Sequence, residues 1–396
     1  MANEELRLED ATLLERDVYN LWEIDQSGTG INLAFGFRVM NIDVHRFEHA
    51  LNSVIARHGR LRSVFRKEGR RVLRVEFPSL EIRVEPFKSK NPGDFVRPFD
   101  LERGPLLRAA ISGDTVFLDF CHIITDGFSM ILFFSELDDF YSGRKPRYEP
   151  TSVPTENETE IFRNTAFWAG QFDSSFSPLV LPHDKNGTGI YGGDGESITA
   201  RIFPSDTRRV QKVCRRLGIT PFVFYFSAFL LLLSRECGTN DVVTATNLAC
   251  RSSRTLRTIA LFSAVVPVRF RVGDKLNTDD FLRSVSHRVQ EFLIHQHFNS
   301  ARLLSDIGVH DIRDVSRTLF TYEHKKIADA RLCGEKCEFV PVPSRHSSTD
   351  FTLCFFPLRD ESRLLLIFRA DLFSRFRARE LLHRYVRTVR ELSVSG

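Results

Sequence analysis

Residues 116–141 constrain the fold more than any other stretch, because they read as a β-strand, a short loop and an α-helix in direct succession. Val116, Leu118, Phe120 and His122 alternate with their neighbours, which places all four on one face of a strand and turns Cys121 to the other. After Gly127 the run Phe128-Ser129-Met130-Ile131-Leu132-Phe133-Phe134-Ser135-Glu136-Leu137 takes helical spacing and continues to Tyr141, where Ser142-Gly143 ends it. The segment Cys121-His122-Ile123-Ile124-Thr125-Asp126-Gly127 is therefore a strand-to-helix loop.

The same mixture of periods recurs along the chain. Asp43 is placed to cap a helix carrying Val44, Phe47, Leu51, Val54 and Ile55, with the turn residue Gly59 after it. Residues 72–84 read as strand material broken by Pro78. In the second half a strand is expected over 198–203, a helix over 206–217 and a strand over 241–247. Thr220-Pro221 gives a cap-then-proline start to the most apolar stretch, 222–233, which is too short for the ~20 residues of a membrane span and reads as a buried helix. Phe281, Leu282, Val285, Val289, Phe292 and Leu293 mark another helix, residues 351–356 and 364–368 two strands, and Leu381, Leu382, Tyr385, Val386 and Val389 a last helix. This predicts an α+β protein.

At 396 residues the chain exceeds one ordinary core, since single cores stop growing at roughly 250–300 residues. The Pro, Thr, Asn and Glu-rich tract with Pro146, Pro150 and Pro154 marks the division: an N-terminal lobe over 1–150, a linker over 151–165 and a C-terminal lobe over 166–396. Residues 1–7 are acidic and lack the basic start and apolar stretch of a signal peptide, and the seven cysteines have no framework spacing, which together predict a cytoplasmic protein. A formal charge of +4 with no basic run interleaved with aromatics argues against nucleic acid as a partner.

The chemistry-bearing element is His122, four residues before Asp126, with Gly127 next. Chance would place His-x-x-x-Asp-Gly in a chain with twelve histidines only ~0.04 times at ordinary Asp and Gly frequencies. A histidine there can face a cavity while the aspartate braces the loop, a general-base arrangement. The residues alone leave a second reading open, in which His122 is a satisfied histidine ending a buried strand and Asp126 a turn residue or helix cap. Cys121 is not read as a nucleophile activated by His122, because adjacent strand residues project to opposite faces; it is read as a packed core residue. Cys333 and Cys337 lack a second ligand pair, His295 and His297 read as surface helix positions, and no metal site is expected.

In its context the motif resembles that of the condensation domains of nonribosomal peptide synthetases: two histidines, three residues, Asp, Gly, an aromatic, Ser and a helix. Phe128-Ser129 and the helix follow as in the family, while Cys121 stands at the first histidine. Upstream, residues 57–65 (Arg-His-Gly-Arg-Leu-Arg-Ser-Val-Phe), Pro98-Phe99-Asp100-Leu101 and Gly104-Pro105-Leu106-Leu107-Arg108 are similar to family segments. Downstream, so are Trp168 with Leu179-Val180-Leu181-Pro182-His183-Asp184, Gly218-Ile219-Thr220-Pro221-Phe222, Asp241-Val242-Val243 and Asp350-Phe351-Thr352-Leu353. Residues 259–269 track a motif that normally has Gly at position 260 and Asn at 264, both Ala here, and residues 313–320 look like a late motif with one residue missing.

The resemblance covers nearly the whole chain and implies an α/β sandwich of two lobes like chloramphenicol acetyltransferase, set in a V with a central tunnel. It implies an acyltransferase acting on a thioester held by the phosphopantetheine arm of an acyl or peptidyl carrier protein, with an amine as acceptor and no bound cofactor. His122, Asp126 and Gly127 carry over as catalytic residues, the Gly127 amide as an oxyanion donor, and Cys121, Ser129 and Arg251 as structural support. Arg251 matches an arginine that in the family pairs with the motif aspartate; a solvent-facing arginine after a strand is the other reading. No adenylation signature or carrier-type serine is seen, so the partners are expected in trans. The alternatives are an idle domain that docks carriers or recruits another enzyme, and an ester-forming, epimerising or acyl-CoA-dependent relative of the same fold.

Overall fold

The computed structural model describes residues 6–26, 28–173, 176–187, 193–273, 277–310, 312–323, 331–340, 342, 346–358 and 362–394. The chain divides into two compact units that are not continuous in sequence. One comprises Met1–Glu156, Arg251–Ser263 and Lys326–Arg345, the other Asn157–Cys250, Ala264–Lys325 and His346–Gly396.

The first unit is built on a five-stranded sheet in the order Glu338–Val340, Asn32–Arg38, Thr115–Cys121, Leu107–Ser112, Val84–Pro86. All neighbours are antiparallel except Val84–Pro86, which runs parallel to Leu107–Ser112. Strand alternation sends Phe35, Phe37, Val116, Leu118 and Phe120 into one core with Phe47, Leu51, Val54 and Ile55 of helix Val44–Arg57 and Phe133, Phe134 and Leu137 of helix Gly127–Tyr141. Edge-on aromatic pairs such as Phe37–Phe134 and Phe120–Phe133, each with centroids 4.9 Å apart, fill it. Phe117 points to the opposite face and packs with Phe87 and Phe95. Asp43 caps Val44–Arg57 by accepting the Arg46 amide hydrogen at 3.0 Å. Strands Arg7–Asp10, Arg71–Glu76 and Ser63–Glu68 make a separate three-stranded sheet.

The second unit holds a seven-stranded sheet in the order Ala264–Arg271, Asp241–Leu248, Thr318–Tyr322, Phe351–Pro357, Ser362–Arg369, Gly193–Ile202, His346–Ser347. Thr318–Tyr322 is parallel to both of its neighbours. Helix Pro221–Cys237 starts where Thr220 Oγ1 accepts the Val223 amide hydrogen, with Pro221 in the first turn. It buries Tyr225 against Phe355 and Phe229 against Phe320, at centroid distances of 3.9 and 5.4 Å. Helix Arg375–Val394 covers it, the Tyr385 hydroxyl donating to the Tyr225 carbonyl at 3.1 Å. Among the described residues no single helix is long and apolar enough to cross a membrane.

The strand expected over 198–203 spans Gly193–Ile202, because its partner Ser362–Arg369 pairs with it along its length as far as Gly195. His295 is not a plain surface helix position. It closes helix Thr278–Ile294, stacks on Phe167 with centroids 3.9 Å apart and sets Nδ1 2.9 Å from Asn164 Oδ1; His297 lies beyond the helix and is exposed.

Candidate active site

The strand Thr115–Cys121 has neighbours on both sides, and both hold its end. The Cys121 amide donates to the Leu106 carbonyl at 2.8 Å and the His122 amide to the Ile31 carbonyl at 2.7 Å. The strand stops at Cys121. His122–Ile124 forms a 3-10 turn closed by the Thr125 amide hydrogen on the His122 carbonyl, so the expected alternation of Val116, Leu118, Phe120 and His122 ends one residue early. A helical turn rotates successive side chains by far less than the half-turn of a strand, so His122 is aimed by the turn and not by the pleat. Ile123, Ile124 and Thr125 are buried, which anchors the turn.

Asp126 caps helix Gly127–Tyr141 and is itself buried. Its Oδ1 accepts from the Ser129 amide at 2.7 Å and from Arg251 Nη2 at 2.8 Å; its Oδ2 accepts from the amides of Phe262 and Ser263 at 2.9 and 3.2 Å. Four donors thus saturate the carboxylate, and none of them is His122. Asp126 therefore braces the turn without orienting the imidazole.

Arg251 is not solvent-facing: its side chain is 3% exposed. Besides Asp126 it donates to Ser129 Oγ at 2.6 Å and to the carbonyls of Thr255, Thr258 and Ala260 at 2.7, 3.0 and 3.3 Å. Its guanidinium lies over the rings of Phe128 and Phe262, 4.7 and 4.4 Å from their centroids. Burial lowers its pKa from the ordinary arginine value and the Asp126 charge opposes that shift. Ser129 Oγ completes the lattice by donating to the Ala260 carbonyl at 2.8 Å.

Gly127 opens the helix, and its amide is one of the four first-turn N–H groups that helical bonding leaves open. Its φ is not in the left-handed region, so the position does not depend on glycine's conformational freedom. Cys121 stands apart from this network. Its thiol is sealed in the core, and burial pushes its pKa up to about 12, which keeps it protonated and unreactive.

On the face of the strand shared with Cys121, Asp119 is wholly buried. Asn32 Nδ2 bridges it, donating to Asp119 Oδ2 and to the Arg97 carbonyl, both at 2.9 Å. Burial pushes the Asp119 carboxyl up to about 7 even though Arg108 Nε stands 3.7 Å away. Arg108 is itself desolvated and stacks on Phe99, 3.9 Å from the ring centroid.

Of the six residues singled out in the sequence, Asp126, Ser129 and Arg251 are joined by direct hydrogen bonds, Gly127 sits between two of them, His122 heads the turn they support, and Cys121 belongs to the core. The sequence did not disclose Asp119, Asn32, Phe262 or the Thr255 and Thr258 carbonyls as partners. Phe262 lay inside a motif already noted over 259–269, but nothing in its spacing pointed at Asp126.

A family profile described as the condensation domain matches residues 13–394. Bacitracin synthase 3 of Bacillus licheniformis is 25% identical over 409 residues, covering 96% of this chain and 6% of that protein. The chain thus spans a small part of that relative's length. Among solved structures, the first condensation domain of the calcium-dependent antibiotic synthetase in complex with a substrate analogue matches with a TM-score of 0.82 at 18% identity, covering 98% of this chain and 96% of that one. The complex of the X-domain and OxyB from teicoplanin biosynthesis matches with a TM-score of 0.80 at 21% identity, covering 98% and 94%.

Proposed function

The chain belongs to the condensation-domain family, and from that premise we propose that it is an acyltransferase which joins an acyl group, delivered as a thioester on the phosphopantetheine arm of a carrier protein, to an amine. His122 is the group it presents to the reacting atoms, and Asp126, Ser129 and Arg251 keep the His122 turn in shape. The product on this reading is an amide of nonribosomal peptide or related natural-product biosynthesis.

One observation carries the proposal. The half-buried His122 heads a turn whose supporting aspartate is saturated by four donors, so the backbone that carries the imidazole is held before any substrate arrives. Amine attack on a thioester needs that kind of fixed polar group near the carbonyl, and the Gly127 amide at the helix start is a second donor for the developing oxyanion. The thioester's own leaving group is a good one, so orientation and charge stabilisation are the main demands on the protein.

The test is a reconstituted condensation with loaded carrier protein and amine, read by mass spectrometry of the product. His122→Ala is expected to lower the rate ~10²–10⁴-fold. Undiminished product formation would overturn the catalytic reading. The domain would then dock or recruit, a reading favoured by Cys121 in place of a histidine and by likeness to an X-domain solved as a complex with another protein. Running the same assay with a coenzyme A thioester in place of the carrier separates the acyl-CoA-dependent alternative.

A further inference from the structure

Two exposed segments of the first unit, residues 145–151 and residues 252–258, are stapled to each other through their backbones. The Thr151 amide donates to the Arg257 carbonyl at 3.4 Å and the Thr151 hydroxyl to the Arg254 carbonyl at 2.9 Å. In return the Thr258 hydroxyl donates to the Thr151 carbonyl at 2.9 Å. From the core, Arg57 Nη2 donates to the Tyr148 carbonyl at 2.7 Å while its Nε holds the buried Glu136 at 3.2 Å. Pro146 and Pro150 fix φ on either side of Tyr148. The packed unit therefore sets the backbone here, and the side chains of Lys145, Arg147, Tyr148, Arg254, Leu256 and Arg257 are left exposed.

The charge on this surface is uncompensated. Glu149, the one carboxylate in the two segments, is taken by Arg57 at 3.3 Å, and Asp138 and Asp139 before them are taken by Arg144 at 3.0 and 2.9 Å. Four cations thus share a surface with a phenol ring that is 43% exposed and a leucine that is 48% exposed. The Arg257 guanidinium lies 4.0 Å from the Tyr148 ring centroid and that of Arg147 lies 5.1 Å from it. A guanidinium laid on a ring keeps its N–H fork free for a carboxylate, and arginine and tyrosine are the side chains that protein interfaces favour. Gathering like charges with nothing to answer them costs stability through self-repulsion, which a partner of opposite charge reverses.

We propose that this surface docks an acidic segment of a partner polypeptide, with carboxylates on Arg147, Arg254 and Arg257 and an apolar side chain against Tyr148 and Leu256. A small free anion is the poorer fit, because all four cations are exposed and none forms the concave, largely buried site that holds small ligands. An extended chain meets them all at once, and the stapled backbone spares it the cost of ordering the surface on binding. Docking is independent of His122, so His122→Ala is expected to leave it unchanged.

The test is fluorescence anisotropy of the intact protein with a short labelled peptide of repeated Glu-Glu-Leu units. The peptide is expected to bind, to weaken as salt is raised and to lose its binding when Gln replaces every Glu. Arg147→Glu with Arg257→Glu is expected to weaken binding at least ~10-fold, and Tyr148→Ala ~5-fold or more. Arg208→Glu with Lys212→Glu, an equal change of charge on two exposed residues of helix Pro204–Leu217, is expected to leave binding within ~2-fold of native. Hydrogen exchange with the peptide bound is expected to show new protection in residues 145–151 and 252–258. The proposal is overturned by an equal loss in the Arg208 and Lys212 variant, by full binding of the Gln peptide, or by protection confined to other residues. Displacement of the peptide by inorganic phosphate at an equal concentration also overturns it, since the surface is then a site for small anions.

Discussion

Arg251 and Asp126 show how much one buried pair can hold. Both side chains are nearly sealed from solvent, so neither charge is compensated by water and each depends on the other and on the donors and carbonyls around it. Arg251→Ala leaves the Asp126 carboxylate without its counter-charge and is expected to cost ~3–5 kcal/mol in urea unfolding, several times the loss from an exposed arginine such as Arg379. Asp119 obeys a different rule. Its folded pKa of about 7 lies above the ordinary aspartate value, so between about pH 4 and pH 7 the folded chain keeps a proton that the unfolded chain has released. Asp119's contribution to stability is thus fully present at the acid end of that window and is lost as pH rises through it. Asp119→Asn, which keeps the shape without the titration, is expected to flatten the fall in urea stability between pH 4 and pH 7; an unchanged slope would show that Asp119 is not its source. Burial of Cys121 predicts that its thiol resists alkylation in the folded protein and reacts only after unfolding, as peptide mapping would show.

Among the elements, helix ends and strand contacts carry the sequence signals that can be tested one residue at a time. Helix Pro221–Cys237 depends on Thr220 to cap its first turn, and Thr220→Ala is expected to cost ~1 kcal/mol. The returning strand Glu338–Val340 depends on a glycine. It pairs with Asn32–Arg38 so closely that a Cβ at Gly36 would come within 2.6 Å of the Val340 carbonyl oxygen. Backbone cannot yield as a side-chain tip can, so Gly36→Ala is expected to destabilise by ~1–3 kcal/mol. Hydrogen exchange should show the loss concentrated at residues 338–340 and their partners, Gly36, Phe37 and Arg38.

The whole chain is laid out so that the first unit cannot be cut from it as one piece. Residues 251–263 supply Arg251, the Thr255, Thr258 and Ala260 carbonyls and two of the amides on Asp126, and residues 338–340 supply an edge of the five-stranded sheet. A fragment of residues 1–156 is therefore expected to lack a cooperative thermal transition by circular dichroism. What the sequence determined by itself was local: the strand running through a short loop into a helix, the Asp43 and Thr220 caps, the buried apolar helix and the mixed fold class. Each of these depends on residues a few positions apart, where periodicity and capping chemistry act directly. Only tertiary structure decided that Asp126 would take amides from Phe262 and Ser263, 136 and 137 residues away, that Arg251 would be buried against two aromatic rings, and that His122 would bury one ring nitrogen with no hydrogen-bond partner among the described residues. The reason is that a buried carboxylate must be satisfied by whichever donors the returning chain brings to it, and where the chain returns is set by the packing of the whole unit, not by the spacing of the motif.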